Sequence, residues 1–304
     1  MATGKSVVTI GTFDGVHIGH RKILKRLIDY GGDNELTSTV LTFFPHPRMV
    51  LQKEAGIKLI NTIEERKQIL YNTGIDKLIV HPFTREFSRL KAQEYIEEIL
   101  VKKLDVAHVI IGYDHRFGRN RTADITDLKK FGKQYGFSVE EISKQDVEEV
   151  AVSSTKIRKA LNNGEIEKAN KYLSKPFILT GTVISGKGLG KGFGYPTANL
   201  KIEESYKIIP ANGVYVVKTN LDGKSLFGMM NIGTNPTVGG KEQTIETYFL
   251  DFDQDLYGKK LQIEILSHLR KEVNFDSTEK LVEAMQNDEK IARQYIAKLS
   301  KDLH

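Results

Sequence analysis

Up to about residue 174, short apolar runs alternate with amphipathic stretches, and this alternation constrains the fold more than any other feature of the chain. Strands that alternate with helices imply right-handed crossovers and a mostly parallel, doubly wound sheet. We therefore predict an α/β, Rossmann-like N-terminal domain that binds its ligand beyond the carboxyl ends of the strands. After a first strand that contains Val7, Val8 and Ile10, the runs are Ser38–Phe44, Glu64–Tyr71, Lys77–Val80, Ala92–Lys103, His108–Ile111, Asp127–Tyr135 and Val139–Ile142.

The second half of the chain reads instead as strands and turns. Asp222-Gly223 lies between two alternating apolar runs, which is a strong hairpin signal, so we predict a small antiparallel β-barrel. A helical tail opens at Ser277, with Leu281, Met285, Ile291 and Ile296 on its apolar side. We place the boundary near Leu173–Pro176, giving domains 1–174 and 175–304. The predicted strands are Phe177–Ile184, Val214–Thr219, Leu226–Ile232, Thr244–Asp251 and Lys260–Leu266.

Composition narrows the class of protein. With 304 residues the chain has room for two domains, each with its own core. Its net charge of +6 favours polyanionic ligands, among which nucleotides and nucleic acids both qualify. The absence of cysteine removes disulfides, thiol nucleophiles and cysteine-ligated zinc. No run of about 18 apolar residues and no signal-peptide pattern is found, so we expect a cytoplasmic protein that does not span a membrane.

The segment Gly11–His20 joins the first strand to an amphipathic helix and contains two histidines one helical turn apart, His17 and His20. Glycines allow the backbone to approach a phosphate, and the start of the helix points unpaired N–H groups at the anion. The alternative is a strand-to-helix corner with two surface histidines. The surrounding strand and helix favour a nucleotide-phosphate site.

Two later segments of the first half belong with this site. The basic loop Gly112–Arg121 follows a strand and includes Asp114; the alternative is a loop that only faces solvent. The segment Val152–Arg158 precedes a helix. Ser153 or Ser154 could simply cap that helix, or the hydroxyls, Lys156 and Arg158 could form a second phosphate clamp.

A glycine-rich loop opens the second half. It matches neither a Walker loop nor a dinucleotide fingerprint, but its glycines and lysines suit a flexible loop that wraps phosphates. Thr197 and Asn199 offer neutral oxygen ligands for Mg²⁺. A flexible linker is the alternative, and the sequence Pro196-Thr197-Ala198-Asn199 argues against it. The loop residues proposed to bind ATP are Gly186, Lys187, Gly188, Gly190 and Lys191.

The N-terminal motifs together resemble a known family. The His-x-Gly-His element is similar to that of the nucleotidylyltransferase superfamily. With Thr42–Pro47, the Asp114 loop and the Ser-Ser-Thr-x-Ile-Arg segment, the order and spacing resemble the FAD synthetase module of bacterial bifunctional riboflavin kinase/FAD synthetases. That family adenylylates FMN with ATP and Mg²⁺, giving FAD and pyrophosphate. Two positions, His115 and Ala123, depart from the pattern on the flavin side.

The resemblance implies roles for individual residues of the first half. His17, His20 and Arg158 would be catalytic, and Asp114 would contact the flavin. No general base is needed, because the phosphate of FMN is already ionised at neutral pH, so positioning and charge stabilisation carry the reaction. The implied ATP-binding residues are Gly11, Thr12, Phe13, Asp14, Gly15, His17, His20, Ser154, Thr155 and Arg158.

The second half resembles the riboflavin kinase signature, whose core is a glycine-rich loop that ends in Pro-Thr-Ala-Asn. The resemblance implies that Glu246 is the general base that acts on the ribityl 5′-hydroxyl, and that Thr197 and Asn199 hold Mg²⁺ and phosphate. The implied flavin contacts are Pro196, Thr197, Glu246 and Arg270. Further matches are Gly213–Tyr215, Asn231–Thr237, Leu256–Lys259 and Leu269–Glu272.

Our interpretation is a bifunctional enzyme that converts riboflavin to FMN and FMN to FAD. We expect it to bind flavins and ATP, with Mg²⁺ as cofactor, and to bind neither nucleic acid nor a membrane. The sequence does not decide whether the protein forms a transient homo-oligomer or has protein partners. One alternative is a nucleotidylyltransferase of single activity with a C-terminal binding module. A different class is a basic nucleic-acid-binding or regulatory protein that keeps the motifs without turnover, and such a binder would show steeply salt-dependent affinity for polynucleotides.

Overall fold

The computed structural model describes residues 4–52, 56–113, 115–143, 152–186, 192, 194–237 and 240–301. The chain divides into two compact units, Met1–Ser154 and Thr155–His304. Each unit has its own sheet and its own core, as two domains require.

The first unit is built on five parallel strands in the order β3-β2-β1-β4-β5, which confirms the predicted Rossmann-like α/β fold. Strand β1 is buried along its whole length, as expected for a parallel strand covered on both faces. The elements of the first unit are β1 Ser6–Ile10, α1 Ile18–Asp33, β2 Thr37–Phe44, α2 Pro47–Leu51, α3 Ile63–Tyr71, β3 Lys77–Pro82, α4 Ala92–Tyr95 with a π-helical continuation Ile96–Lys103, β4 Val106–Gly112, α5 Ile125–Tyr135 and β5 Ser138–Ile142.

The predicted helix Ala92–Lys103 is α-helical only over its first four residues and continues as a π-helix. The N–H of Leu104 bonds to the carbonyl of Ile99, five residues back, at 3.1 Å. The wider turns still bury Ile96, Ile99 and Leu100 against the sheet. Hydrophobic spacing over eight residues does not distinguish the two kinds of helix, so the sequence could not predict this one.

In the second unit, two helices precede a closed antiparallel barrel of strand order β10-β7-β6-β11-β8-β9, as predicted for a small barrel. The hairpin at Asp222-Gly223 has φ of +51° and +81°, the pair of positive values that a type I′ turn requires. The elements are α6 Ser154–Asn162, which begins on the last residue of the first unit, α7 Ile166–Leu173, β6 Phe177–Ile184, β7 Ala198–Lys201, β8 Gly213–Leu221, β9 Lys224–Thr237, β10 Gly240–Phe249, β11 Lys260–Lys271 and α8 Thr278–Lys301.

Helix α7 is anchored on the barrel. The Asn170 amide donates to the carbonyl of Ile265 at 2.9 Å and accepts from the N–H of Phe177 at 2.7 Å. The compact units therefore divide after Ser154, earlier than the boundary expected near residue 174. The functional extents 1–174 and 175–304 stay predictions.

The C-terminal helix α8 forms as predicted, but the assignment of one of the four residues to its apolar side is wrong. Ile291 is 40% exposed, whereas its neighbour Ala292 is fully buried. Ala292 packs with Met285 and Ile296 against barrel residues that include Val216. The helix presents the face that passes through Ala292, and this small residue allows close approach to the barrel wall.

Candidate functional sites

The two histidines of the first unit lie together at the start of α1. Their rings stack with centroids 3.7 Å apart and planes inclined by 17°. His17 is the N-cap residue of α1, and the edge of the Phe13 ring approaches His20 with centroids 5.1 Å apart. The structure thus brings the predicted pair together at the carboxyl end of β1, where the ligand of such a sheet binds.

Both imidazoles are held in the neutral form. Burial lowers the pKa of His17 to about 4, although the nearby Asp14 acts in the opposite direction. Burial, with the proximity of His17 and Arg66, holds the pKa of His20 well below its usual value. At pH 7 each neutral ring therefore has one N–H group to donate, and a polyphosphate bound against the rings would raise both pKa values.

The loop that leads into the pair has an unusual backbone. Phe13 and Val16 have φ of +48° and +40°, in the left-handed region that a β-branched residue such as Val rarely adopts. The buried Asp14 carboxylate accepts from the N–H groups of Ile60, at 3.0 Å, and Asn61, at 3.3 Å. These bonds tie the loop to the segment before α3, so the Asp14 carboxylate serves the scaffold; contact of Asp14 with ATP stays a prediction.

Arg66, which our sequence interpretation missed, also holds this loop. It is fully buried on α3, and its guanidinium donates to the carbonyl oxygens of Thr12 and, at 3.4 Å, Phe43. It shares the buried face of α3 with Ile69 and Leu70, three and four residues later. An arginine at an apolar position of a helix is the signal that could have identified it.

The Ser154 hydroxyl donates to the Asp14 carbonyl at 2.9 Å, which places the first residue of α6 beside the loop. Thr155 and Arg158 belong to the second unit, and their role as a phosphate clamp stays a prediction. Asp114 lies outside the described residues. Ala123, which departs from the family pattern, is buried, and its backbone forms an isolated antiparallel bridge with that of Phe117 through hydrogen bonds of 3.0 and 3.2 Å.

The second site is a polar row across three strands of the barrel. Glu246 of β10 is the register partner of Asn231 on β9 and of Asn199 on β7. Residues opposite one another on neighbouring strands share a face of the sheet. The Thr197 hydroxyl donates to Oε2 of Glu246 at 3.2 Å. The structure thus brings Thr197 and Asn199 together with Glu246, which lies 49 positions after Thr197, and adds Asn231.

The glycine-rich loop begins against this row. A side chain at Gly186 would overlap the Asn199 amide, with its Cβ only 2.0 Å from Nδ2, so only glycine fits there. Lys187, Gly188, Gly190 and Lys191 lie outside the described residues. On the other side of the loop, Tyr195 precedes Pro196 and donates its hydroxyl hydrogen bond to Glu289 of α8 at 3.1 Å.

Arg270 was expected to contact the flavin, and its guanidinium is bound to α8. Its Nε and Nη2 donate to the buried carboxylate of Asp288 at 3.0 and 2.8 Å. The ring of Phe275 lies 5.5 Å from the guanidinium carbon. These bonds use one edge of the guanidinium, and Nη1 donates to the carbonyl of Lys271 at 3.2 Å. A contact of Arg270 with flavin stays a prediction.

The donor set of the polar row fits Mg²⁺. In the part of the chain that is described, no three histidine, cysteine or carboxylate side chains cluster as a metal site. Mg²⁺, however, is commonly held by one or two protein oxygens and by substrate phosphates. The hydroxyl of Thr197 and the amide of Asn199, both adjacent to the Glu246 carboxylate, supply such oxygens.

The fold and the two sites define a two-module, nucleotide-dependent enzyme: a parallel α/β unit with a histidine pair at its first crossover, and a closed barrel with a carboxylate and an amide on one wall. Comparison with known proteins agrees with this. The FAD synthetase family matches residues 1–156, and the riboflavin kinase family matches residues 173–296.

Relatives match over nearly the full length. The chain is 37% identical to the bifunctional riboflavin kinase/FMN adenylyltransferase of Listeria monocytogenes, covering 96% of this chain and 93% of that protein. For the enzymes of the same description, identity is 36% in Escherichia coli K12, over 95% and 92% of the two chains, and 34% in Bacillus subtilis, over 98% and 94%. A solved structure described as a macrolide-efflux protein from Streptococcus pneumoniae superposes with a TM-score of 0.88 at 30% identity, over 96% of this chain and 95% of that one.

The chain belongs to the bifunctional riboflavin kinase/FMN adenylyltransferase family. It is an enzyme with an FAD synthetase module and a riboflavin kinase module, which confirms the family predicted from the motifs. Among the helices described, none is both long and apolar enough to cross a membrane.

Proposed function

We propose that the barrel site phosphorylates riboflavin with ATP to FMN and ADP, and that the histidine site adenylylates FMN with a second ATP to FAD and pyrophosphate. The observation that carries the proposal is that each module has its own preformed polar site. One is the stacked His17 and His20 at a helix start, and the other is Glu246 bonded to Thr197. Two sites in one chain suit two consecutive reactions.

In adenylylation, the ionised phosphate of FMN attacks the α-phosphorus of ATP and pyrophosphate leaves. Because Nδ1 of His17 accepts the N–H of His20, the neutral ring carries its proton on Nε2, where it donates to a phosphate oxygen. The start of α1 adds backbone N–H groups and a favourable dipole. Arg158, Ser154 and Thr155 are proposed to clamp the same phosphates, and Asp114 to contact the flavin.

In phosphorylation, the ribityl 5′-hydroxyl attacks the γ-phosphoryl group and must lose its proton. Glu246 accepts that proton, and the hydrogen bond from Thr197 orients the carboxylate. When bound, Mg²⁺ would be held by Thr197 and Asn199 and would neutralise charge on the phosphates. Gly186, with Lys187, Gly188, Gly190 and Lys191, would wrap the ATP phosphates, and Pro196 and Arg270 would contact the flavin.

We further propose that the protein acts in the cytoplasm on flavins and ATP as small-molecule partners and binds no nucleic acid. The test is incubation of the full-length chain with riboflavin, ATP and Mg²⁺, with chromatographic separation of the products. FMN, FAD, ADP and pyrophosphate should all appear. If only FMN accumulates when FMN and ATP are in excess, the assignment of the histidine site is wrong, and His115 and Ala123 become the first residues to revert.

A further inference from the structure

Arg21 follows the histidine pair directly, and two nitrogens of its guanidinium group are buried without a hydrogen-bond partner among the described residues. Its Nε and Nη2 are buried, and no acceptor in the described part of the chain receives a hydrogen bond from either nitrogen. The N–H of Arg21 bonds to the carbonyl of His17 at 3.0 Å, so the two residues are neighbours on one face of α1. Because side chains of a helix lean towards its N-terminus, we expect the guanidinium to be directed towards the turn that starts at His17.

Other arginines of the described residues are paired with carboxylates. Five residues further along α1, Arg26, whose side chain is 42% exposed, makes a two-pronged ion pair with Glu140 at 2.7 and 2.9 Å. The guanidinium of Arg270 is likewise paired with the carboxylate of Asp288. Arginine nitrogens withdrawn from water without an acceptor lower stability, and one explanation for such groups is an ion that binds there. Burial also lowers the pKa of Arg21, which is the effect of desolvation without a compensating negative charge.

We propose that Arg21 is an anion-binding residue of the adenylylation site, and that a substrate phosphate accepts hydrogen bonds from its buried Nε and Nη2. This rests on the proposed function of His17 and His20. A guanidinium fork matches two phosphate oxygens, and a bond between charged groups is stronger than a neutral one. The same chemistry occurs in the triphosphate of ATP, in pyrophosphate and in the phosphate of FMN. Because Arg21 flanks His17, the polyphosphate is the expected partner.

The test compares Arg21→Gln with Lys25→Gln in the full-length chain. Both remove one positive charge from α1, but the Lys25 side chain is 77% exposed and pairs with Asp29 on the surface. Titration calorimetry with pyrophosphate and, separately, with FMN gives the affinities. Thermal unfolding with and without pyrophosphate gives stability. We expect Arg21→Gln to weaken pyrophosphate binding about 10-fold to 100-fold, without lowering the midpoint of the ligand-free protein, whereas Lys25→Gln leaves binding unchanged.

The outcomes separate this inference from the proposed function. Two results would make Arg21 structural and the inference wrong. In the first, Arg21→Gln lowers the unfolding midpoint of the ligand-free protein but leaves pyrophosphate binding unchanged. In the second, the variant does not fold, and pyrophosphate binding is lost with the fold. If FMN binding alone weakens, the inferred anion site stands and its phosphate comes from the flavin. His20→Ala run in parallel tests the site itself. Loss of pyrophosphate binding in His20→Ala but not in Arg21→Gln overturns only the inference, and no loss in either overturns the proposed function.

Discussion

The imidazole of His17 accepts the backbone N–H of His20 through Nδ1 at 3.4 Å, so one ring both caps helix α1 and faces the proposed nucleotide. The cap fixes the tautomer and leaves Nε2–H for the ligand. A residue with two such roles couples the stability of the fold to the state of the site.

This coupling predicts a pH dependence of stability. The pKa of His17 is about 4 in the folded protein and near its ordinary value of 6.5 when unfolded, so between these values the unfolded chain binds more protons. The contribution is therefore complete above pH 6.5 and is lost as the pH falls towards 4. The free energy of unfolding should fall over this range by on the order of 2–3 kcal/mol from His17 alone.

Urea unfolding at about pH 7, about pH 5.5 and about pH 4.5 samples this range and measures the effect. His17→Asn is the matched variant, because Asn is a good N-cap but does not titrate. Its stability should vary less with pH than that of the parent protein. Parallel curves for the two proteins would show that His17 is not the titrating group.

The second prediction concerns the histidine site. Losing one preorganised donor to transition-state charge lowers a rate by about 100-fold to 1000-fold, so His20→Ala should slow FAD formation by that factor while FMN formation stays near normal. Arg158→Ala should behave alike if it clamps the same phosphates. Assays from riboflavin and from FMN separate the two reactions. Equal loss of both activities would point to a folding defect or to one shared site.

Arg66 gives a third prediction. Arg66→Met leaves the carbonyls of Thr12 and Phe43 without this donor, so we expect a loss of about 2 kcal/mol or more in stability and a larger loss of FAD than of FMN formation. Arg66→Lys, which keeps the charge but not the fork, should be intermediate. The control is Lys67→Met on the same helix, whose side chain is 38% exposed. Thermal unfolding and both assays report the result, and a fully active Arg66→Met protein would contradict the assigned role.

For the barrel site, Glu246→Gln preserves an acceptor for the Thr197 hydroxyl but cannot take a proton. Riboflavin phosphorylation should fall by roughly 100-fold to 10,000-fold, the range for loss of a general base. Asn199→Ala should instead raise the Mg²⁺ concentration needed for half-maximal rate, because it removes a neutral ligand. FAD formation from supplied FMN should survive both changes. Near-normal FMN production by Glu246→Gln would move the base elsewhere.

The ion pair between Arg270 and Asp288 supports a fifth prediction. Asp288→Asn leaves a guanidinium without its charged partner in a largely buried position, and we expect the barrel unit to lose about 2–4 kcal/mol of stability. Asp276→Asn, at a side chain that is 90% exposed, is the control. Unfolding followed together with riboflavin kinase activity checks this. If Asp288→Asn is as stable as its control, α8 is not held through this pair.

Much of the fold follows from local sequence patterns. Strands β1 and β2 of the parallel sheet are almost continuously buried and rich in β-branched residues, and Asp222-Gly223 specifies its turn by itself. Strand β7 is different, because Ala198–Lys201 is only four residues long and forms through pairing with β6 and β10. Pairing with distant strands is invisible to periodicity, so this segment reads as a loop.

The same limit applies to the sites. His17 and His20 are neighbours in the sequence, and helical geometry alone brings them together. The contact between Thr197 and Glu246 joins residues 49 positions apart and depends on closure of the barrel. Arg66 escaped notice because its partners are backbone carbonyls, which every residue carries.

Strand β7 has a consequence for how the barrel module can change during evolution. Because Asn199 faces Glu246 only in the observed register, removal of one residue between Thr197 and Leu200 would turn the amide to the opposite side of the wall. Substitution of Lys201, which is exposed at the end of β7, leaves that orientation intact. The kinase module should therefore accept variation in side chains along this strand far more readily than any change in its length.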